Sequence, residues 1–66
     1  MNVRYDRSAD VLTLRLREGT VAESDEARPG VILDFDAEGR VLAIEILDAS
    51  RQVELPSSVT FEVAAT

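Results

Sequence analysis

Two apolar runs of β period, 31–35 and 40–47, are separated by only Asp36-Ala37-Glu38-Gly39, and this arrangement restricts the chain more than any other. The second run is rich in Val and Ile and alternates with a period of two, which argues against a helix there. An acidic turn closed by glycine between two such runs is the pattern of a β-hairpin. The stretch from Asp34 to Glu45 also approaches a calcium loop, with acids at its first, third, fifth and twelfth positions and glycine at its sixth. Glu38 stands at the fifth position, where the loop prefers Asp or Asn. A calcium loop also needs a helix on each side to hold its ends, and both flanks here have β period. The hairpin is the reading adopted.

Two registers compete for that hairpin. A three-residue loop, 37–39, sets Asp36 opposite Arg40 and Leu33 opposite Ala43, which mixes polar and apolar side chains on both faces. A four-residue loop, 36–39, with glycine in the left-handed last position, sets Phe35 opposite Arg40, Leu33 opposite Leu42 and Val31 opposite Ile44. This second register gathers Val31, Leu33, Phe35, Leu42, Ile44 and Ile46 on one face, and Ile32, Asp34, Val41, Ala43 and Glu45 on the other. A slip of one residue would undo the separation, so the second register is expected. It leaves Asp34 and Glu45 on one face but several residues apart.

Elsewhere, Val3 and Tyr5 alternate with Arg4 and Asp6, and Leu12, Leu14 and Leu16 alternate with Thr13, Arg15 and Arg17, so two strands are predicted over 3–6 and 11–17. Residues 18–29 carry Glu23, Asp25 and Glu26 without alternation and read as a long loop, with at most a short extended piece at 21–23. Asp48 or Ser50 can cap one helical turn over 51–54, and Pro56 stops it. The pattern Val59-Thr60-Phe61-Glu62-Val63 predicts a terminal edge strand. The expectation is one mainly-β domain over 1–66, bordering on α+β: an antiparallel meander of four strands, a short helical turn and a fifth, C-terminal strand.

A chain of 66 residues buries only about 60% of its unfolded surface and needs help to stabilise its core. With no cysteine and no histidine, disulfides, zinc sites and thiol or histidine-based catalysis are excluded as that help or as function. No lysine replaces the missing base, so each serine is assigned to a turn, loop or cap. A net charge of −6 argues against nucleic acid and anionic membrane as partners. No segment approaches the roughly 18–20 apolar residues of a membrane span, and 1–6 lack a signal-peptide core, so a cytoplasmic location is expected.

Four stretches carry a resemblance: Val3-Arg4-Tyr5-Asp6; Ala9-Asp10-Val11-Leu12 with the Leu14/Leu16 alternation; 29–36, from Pro29 to Asp36; and 39–50, from Gly39 to Ser50. Over residues 3–50 the chain resembles the small bacterial family catalogued as domain of unknown function 2283 (DUF2283). The resemblance implies a compact antiparallel sheet with no assigned activity. Members stand beside small toxin-like proteins, which implies an antitoxin-like role. Residues 51–66 depart from the family pattern, in which a C-terminal helix is usual.

The function expected is therefore a non-enzymatic protein-binding module, in its most concrete form the acidic partner of a small basic toxin-like protein, or a homodimer. Ile32, Val41, Ala43 and Leu47 make the outer hairpin face partly apolar and are the candidate interface. Two covers fit that face, residues 59–63 or another chain, and the marginal core favours the second. The alternative is a cation- or ligand-binding domain in which Asp34, Glu45 and Glu23 cluster on the outer sheet face, joined by Asp10 if 18–29 folds across. No cofactor is expected.

Overall fold

Alternating side chains become strands wherever a neighbouring strand takes up the backbone hydrogen bonds, and here that happens five times. The structure, a computed structural model, describes residues 1–65. β1 (Asn2–Asp6) and β2 (Val11–Arg15) form a hairpin; β3 (Glu23–Arg28), β4 (Val31–Phe35) and β5 (Val41–Leu47) follow, and then a short helix, α1 (Ala49–Gln52). All pairings are antiparallel and the spatial order is β1-β2-β5-β4-β3. The fold is thus mainly β, as expected, with five strands in place of four. It is not a continuous meander. β5, the longest and most uniformly apolar strand, is last in the chain and central in the sheet, where both of its edges are paired.

Two expectations about strands are corrected. The acidic stretch read as a loop is β3, an edge strand whose six residues are all exposed. An edge strand pairs on one side only, so it needs no apolar alternation, and its Glu23, Asp25 and Glu26 keep other strands from adding there. An extra residue, Ala27, interrupts the pairing between Glu26 and Arg28 and twists this edge further. Conversely, 59–63 join no strand; after a turn at 55–58, closed by Ser58 N–H to the Leu55 carbonyl at 3.0 Å, they are irregular and exposed.

The β4–β5 hairpin does not adopt the expected four-residue register. Its turn is the three-residue loop: Asp36 N–H donates to the Arg40 carbonyl (2.9 Å) and Gly39 N–H to the Asp36 carbonyl (3.1 Å). Gly39 takes φ 83°, the left-handed conformation this turn demands. The Asp36 carboxylate accepts from Glu38 N, Arg40 N and Arg40 Nε at 2.8–2.9 Å, so the acids and the arginine of the turn bind each other. Next, Phe35 pairs with Val41 but Asp34 pairs with Ala43, leaving Leu42 as an extra residue in β5. That bulge shifts the strands so that Leu33 faces Ile44 and Val31 faces Ile46, two residues from the expected partners. The slip of two preserves the separation of faces.

Val3, Leu14, Ile44, Leu33 and Val31 therefore share one face with Tyr5, Leu12 and Ile46, and Arg4, Thr13, Arg15, Ala43, Glu45, Asp34 and Ser24 share the other. The fully enclosed core is small: Leu12, Leu42, Ala43 and Ala49. Leu42 is 0% exposed because the segment after β2 crosses it. Leu16 N–H donates to the Leu42 carbonyl (2.7 Å), and a Cβ at Gly19 would lie 2.9 Å from Leu42 Cδ2. At the other end, Asp10 ties three elements together. Its carboxylate accepts from Tyr5 Oη (2.7 Å), Ser50 N (3.0 Å) and Ser50 Oγ (2.7 Å), and its carbonyl accepts from Ala49 N (2.9 Å). The helical turn consequently begins at Ala49 rather than at 51, Asp48 adopts the left-handed conformation with no side-chain cap, and Ser50 serves Asp10 instead of capping.

Candidate functional site

The polar face holds the carboxylates singled out from the sequence, and the bulge decides their geometry. With Asp34 opposite Ala43 and Ile32 opposite Glu45, Asp34 and Glu45 are diagonal cross-strand neighbours rather than several residues apart. Asp34 is 8% exposed and accepts a 2.6 Å hydrogen bond from Ser24 Oγ. A hydrogen bond with Asp34, then burial, then the Asp34 charge push the Glu45 carboxyl above its ordinary pKa, and Arg15 pulls it partly back. Thr13, paired with Glu45, and Ser24 complete this group; sequence reasoning passed over both because β3 and the exact register were hidden.

The third candidate, Glu23, does not join them. Its neighbour Ser24 bonds Asp34, so alternation turns Glu23 to the opposite face. Asp10 stands at the β1–β2 turn, occupied by Tyr5 and Ser50, and 18–29 do not fold over the polar face. Hydrogen bonds from Ser50 and then Tyr5 hold the Asp10 carboxyl below its ordinary range. Among the described residues no three acids gather closely enough to hold a metal ion. Two carboxylates also fall far short of the six to eight oxygens calcium takes.

The interface expected at Ile32, Val41, Ala43 and Leu47 meets a similar difficulty. Ala43 is 2% exposed and offers no surface, Ile32 and Val41 are half-buried, and Leu47 is the exposed member. Ile32, Ala43 and Leu47 are interleaved with Asp34, Glu45, Thr13 and Arg15 rather than forming an apolar patch.

The opposite face has that patch. Val3, Leu14, Ile44 and Leu33 form one row across four adjacent strands, Ile46 and Val31 extend it, and every one of them is half-buried or exposed. Over the β1–β2 end lies the C-terminal segment: Met1, Val3, Leu14, Val59 and Phe61 line an apolar cleft of about 470 Å³. The segment does not close it, for Val59, Phe61 and Val63 are 61%, 75% and 81% exposed. A smaller cleft of about 260 Å³ is lined by Met1, Asn2, Arg15, Arg17 and Glu18, and there Arg15 approaches Glu18 at 3.9 Å.

These features define a class: a small domain built on one antiparallel sheet, apolar on one face and polar on the other, with no second layer over most of the apolar side. The chain belongs to the family described as Protein of unknown function (DUF2283), whose model matches residues 2–50, the stretch from β1 to the start of α1. No curated protein and no solved structure matches the chain. Among the described residues no helix is long and apolar enough to cross a membrane.

Proposed function

We propose that this chain is a non-enzymatic protein-binding module of the bacterial cytoplasm, and that its binding surface is the apolar face of the sheet. One observation carries the reading: a row of large apolar side chains crosses four strands, and the chain itself encloses only Leu12 and Leu42 of its leucines. Exposed apolar area on this scale is costly in water unless another surface covers it. Extra support comes from what the carboxylates do. Asp10 and Asp36 are committed to local hydrogen bonds, and the Asp34–Glu45 pair lies on the other face. An antitoxin-like form, with a small basic protein as partner, fits the net charge of −6 and the exposed acidic edge at β3.

Co-expression with the product of the adjacent reading frame tests the reading. A complex that survives gel filtration, and is lost when Leu33 is replaced by Glu, is the expected result. A chain that binds neither that product nor another copy of itself overturns the proposal.

A further inference from the structure

We infer that the apolar face, with Val59, Phe61 and Val63 of the C-terminal segment, is the interface of a face-to-face homodimer. The inference rests on the binding-face reading above and names the partner as a second copy of this chain.

Area is the first argument. A folded monomer of 7.2 kDa exposes about 4,100 Å² by the usual scaling with mass. This chain exposes 5171 Å², an excess of about 1,000 Å² over that scaling. A standard stable interface buries about 800 Å² on each partner, so one isologous contact removes the excess. Shape gives the same answer independently. The molecule measures 35 × 32 × 19 Å, with a radius of gyration of 12.8 Å, against about 11 Å for a compact chain of this length. Sheets pack about 10 Å apart, so a second copy laid on this face brings the thin dimension to about 30 Å, level with the other two.

Charge selects the occupant. Each copy carries −6, and two such chains repel unless they meet where the charge is absent. The centre of this face, Val3, Leu14, Ile44 and Leu33, has no ionisable member; Glu23, Asp25 and Arg28 stand at its β3 edge, and Arg4, Arg15, Glu45 and Asp34 lie on the other face. Meeting through these neutral central rows leaves most of the charge of both copies in water.

The test is sedimentation equilibrium of the whole chain across a hundredfold range of concentration, with the adjacent-frame product assayed in parallel. A mass about twice 7.2 kDa is expected, with a melting temperature that rises with concentration. Phe61→Asp and Val3→Asp, at positions 75% and 37% exposed, are expected to yield monomers with an unchanged β-sheet circular dichroism spectrum. Phe61 lies in the exposed segment outside the sheet, so its replacement reports on association even if Val3→Asp unfolds. A mass of 7.2 kDa at every concentration overturns the homodimer. So does a dimer that tolerates both changes and dissociates with Leu47→Asp on the opposite face. A monomer that captures the adjacent product through Leu33 overturns the homodimer and leaves the binding-module reading standing; a monomer that captures nothing overturns both.

Discussion

The contact between Gly19 and Leu42 supplies a quantitative test of how the crossing segment holds the centre of the sheet. Leu42 is 0% exposed, so Leu42→Ala removes a fully buried isobutyl group and costs about 3 kcal/mol. A total stability of about 3–10 kcal/mol is expected for a chain of this length, so the loss is large. Gly19→Ala alone places a methyl 2.9 Å from Leu42 Cδ2 and also strains a backbone held at φ 155°, and the two together cost about 2–3 kcal/mol. The three atoms nearest that methyl, at 2.9, 3.7 and 3.9 Å, all belong to the Leu42 side chain beyond Cβ. In a Leu42→Ala background they are gone, and the added methyl occupies part of the vacated space. The double variant is therefore expected to be more stable than the sum of the single losses by about 1 kcal/mol. Urea denaturation at one fixed protein concentration, followed by circular dichroism and by Tyr5 fluorescence, measures the cycle. Losses that add to within about 0.4 kcal/mol would refute the claim that the crossing segment presses on Leu42.

Two titration predictions concern opposite ends of the sheet. The folded pKa of Glu45 is raised by Asp34, by burial and by the Asp34 charge, so its contribution is complete below about pH 4.3 and is lost as pH rises through the folded value. Glu45→Gln keeps a donor towards Asp34 and removes the like charge, and at pH 7 is expected to add about 0.5 kcal/mol, or about 2–4 °C in Tm; an unchanged or lowered Tm contradicts this. The folded pKa of Asp10 is lowered by Ser50 and Tyr5, so its contribution is complete above about pH 3.9 and is lost as pH falls through the folded value. Asp10→Asn tolerates the left-handed backbone at φ 55° yet carries no charge, and should flatten the acid limb of a Tm-versus-pH curve; a limb identical to wild type counts against it.

Strands with one dry face were legible because alternation records exactly that circumstance: Leu12 and Leu14, or Val31 and Leu33, sit on the apolar face while their neighbours do not. β3 left no such trace. Its side chains are all solvated, and what makes it a strand is the backbone edge of β4, a long-range partner that local sequence does not encode. Val59–Val63 err the other way, since alternation reports a capacity to bury one face and says nothing of whether a neighbour is present. The extra residue at Leu42 was equally silent, and it moved Asp34 beside Glu45. The central position of β5 had one visible correlate, the near absence of charge over seven residues.

That central position governs how the chain comes together in time. During synthesis the β1–β2 hairpin and the β3–β4 hairpin emerge first, and neither touches the other except through β5. Two isolated hairpins are at best marginal in water, so the chain up to residue 40 has no sheet to consolidate. Arrival of 41–47 zips both hairpins in one step. Folding of this domain is accordingly all-or-none and late, and a chain ended ahead of residue 41 leaves two orphaned hairpins rather than a smaller domain.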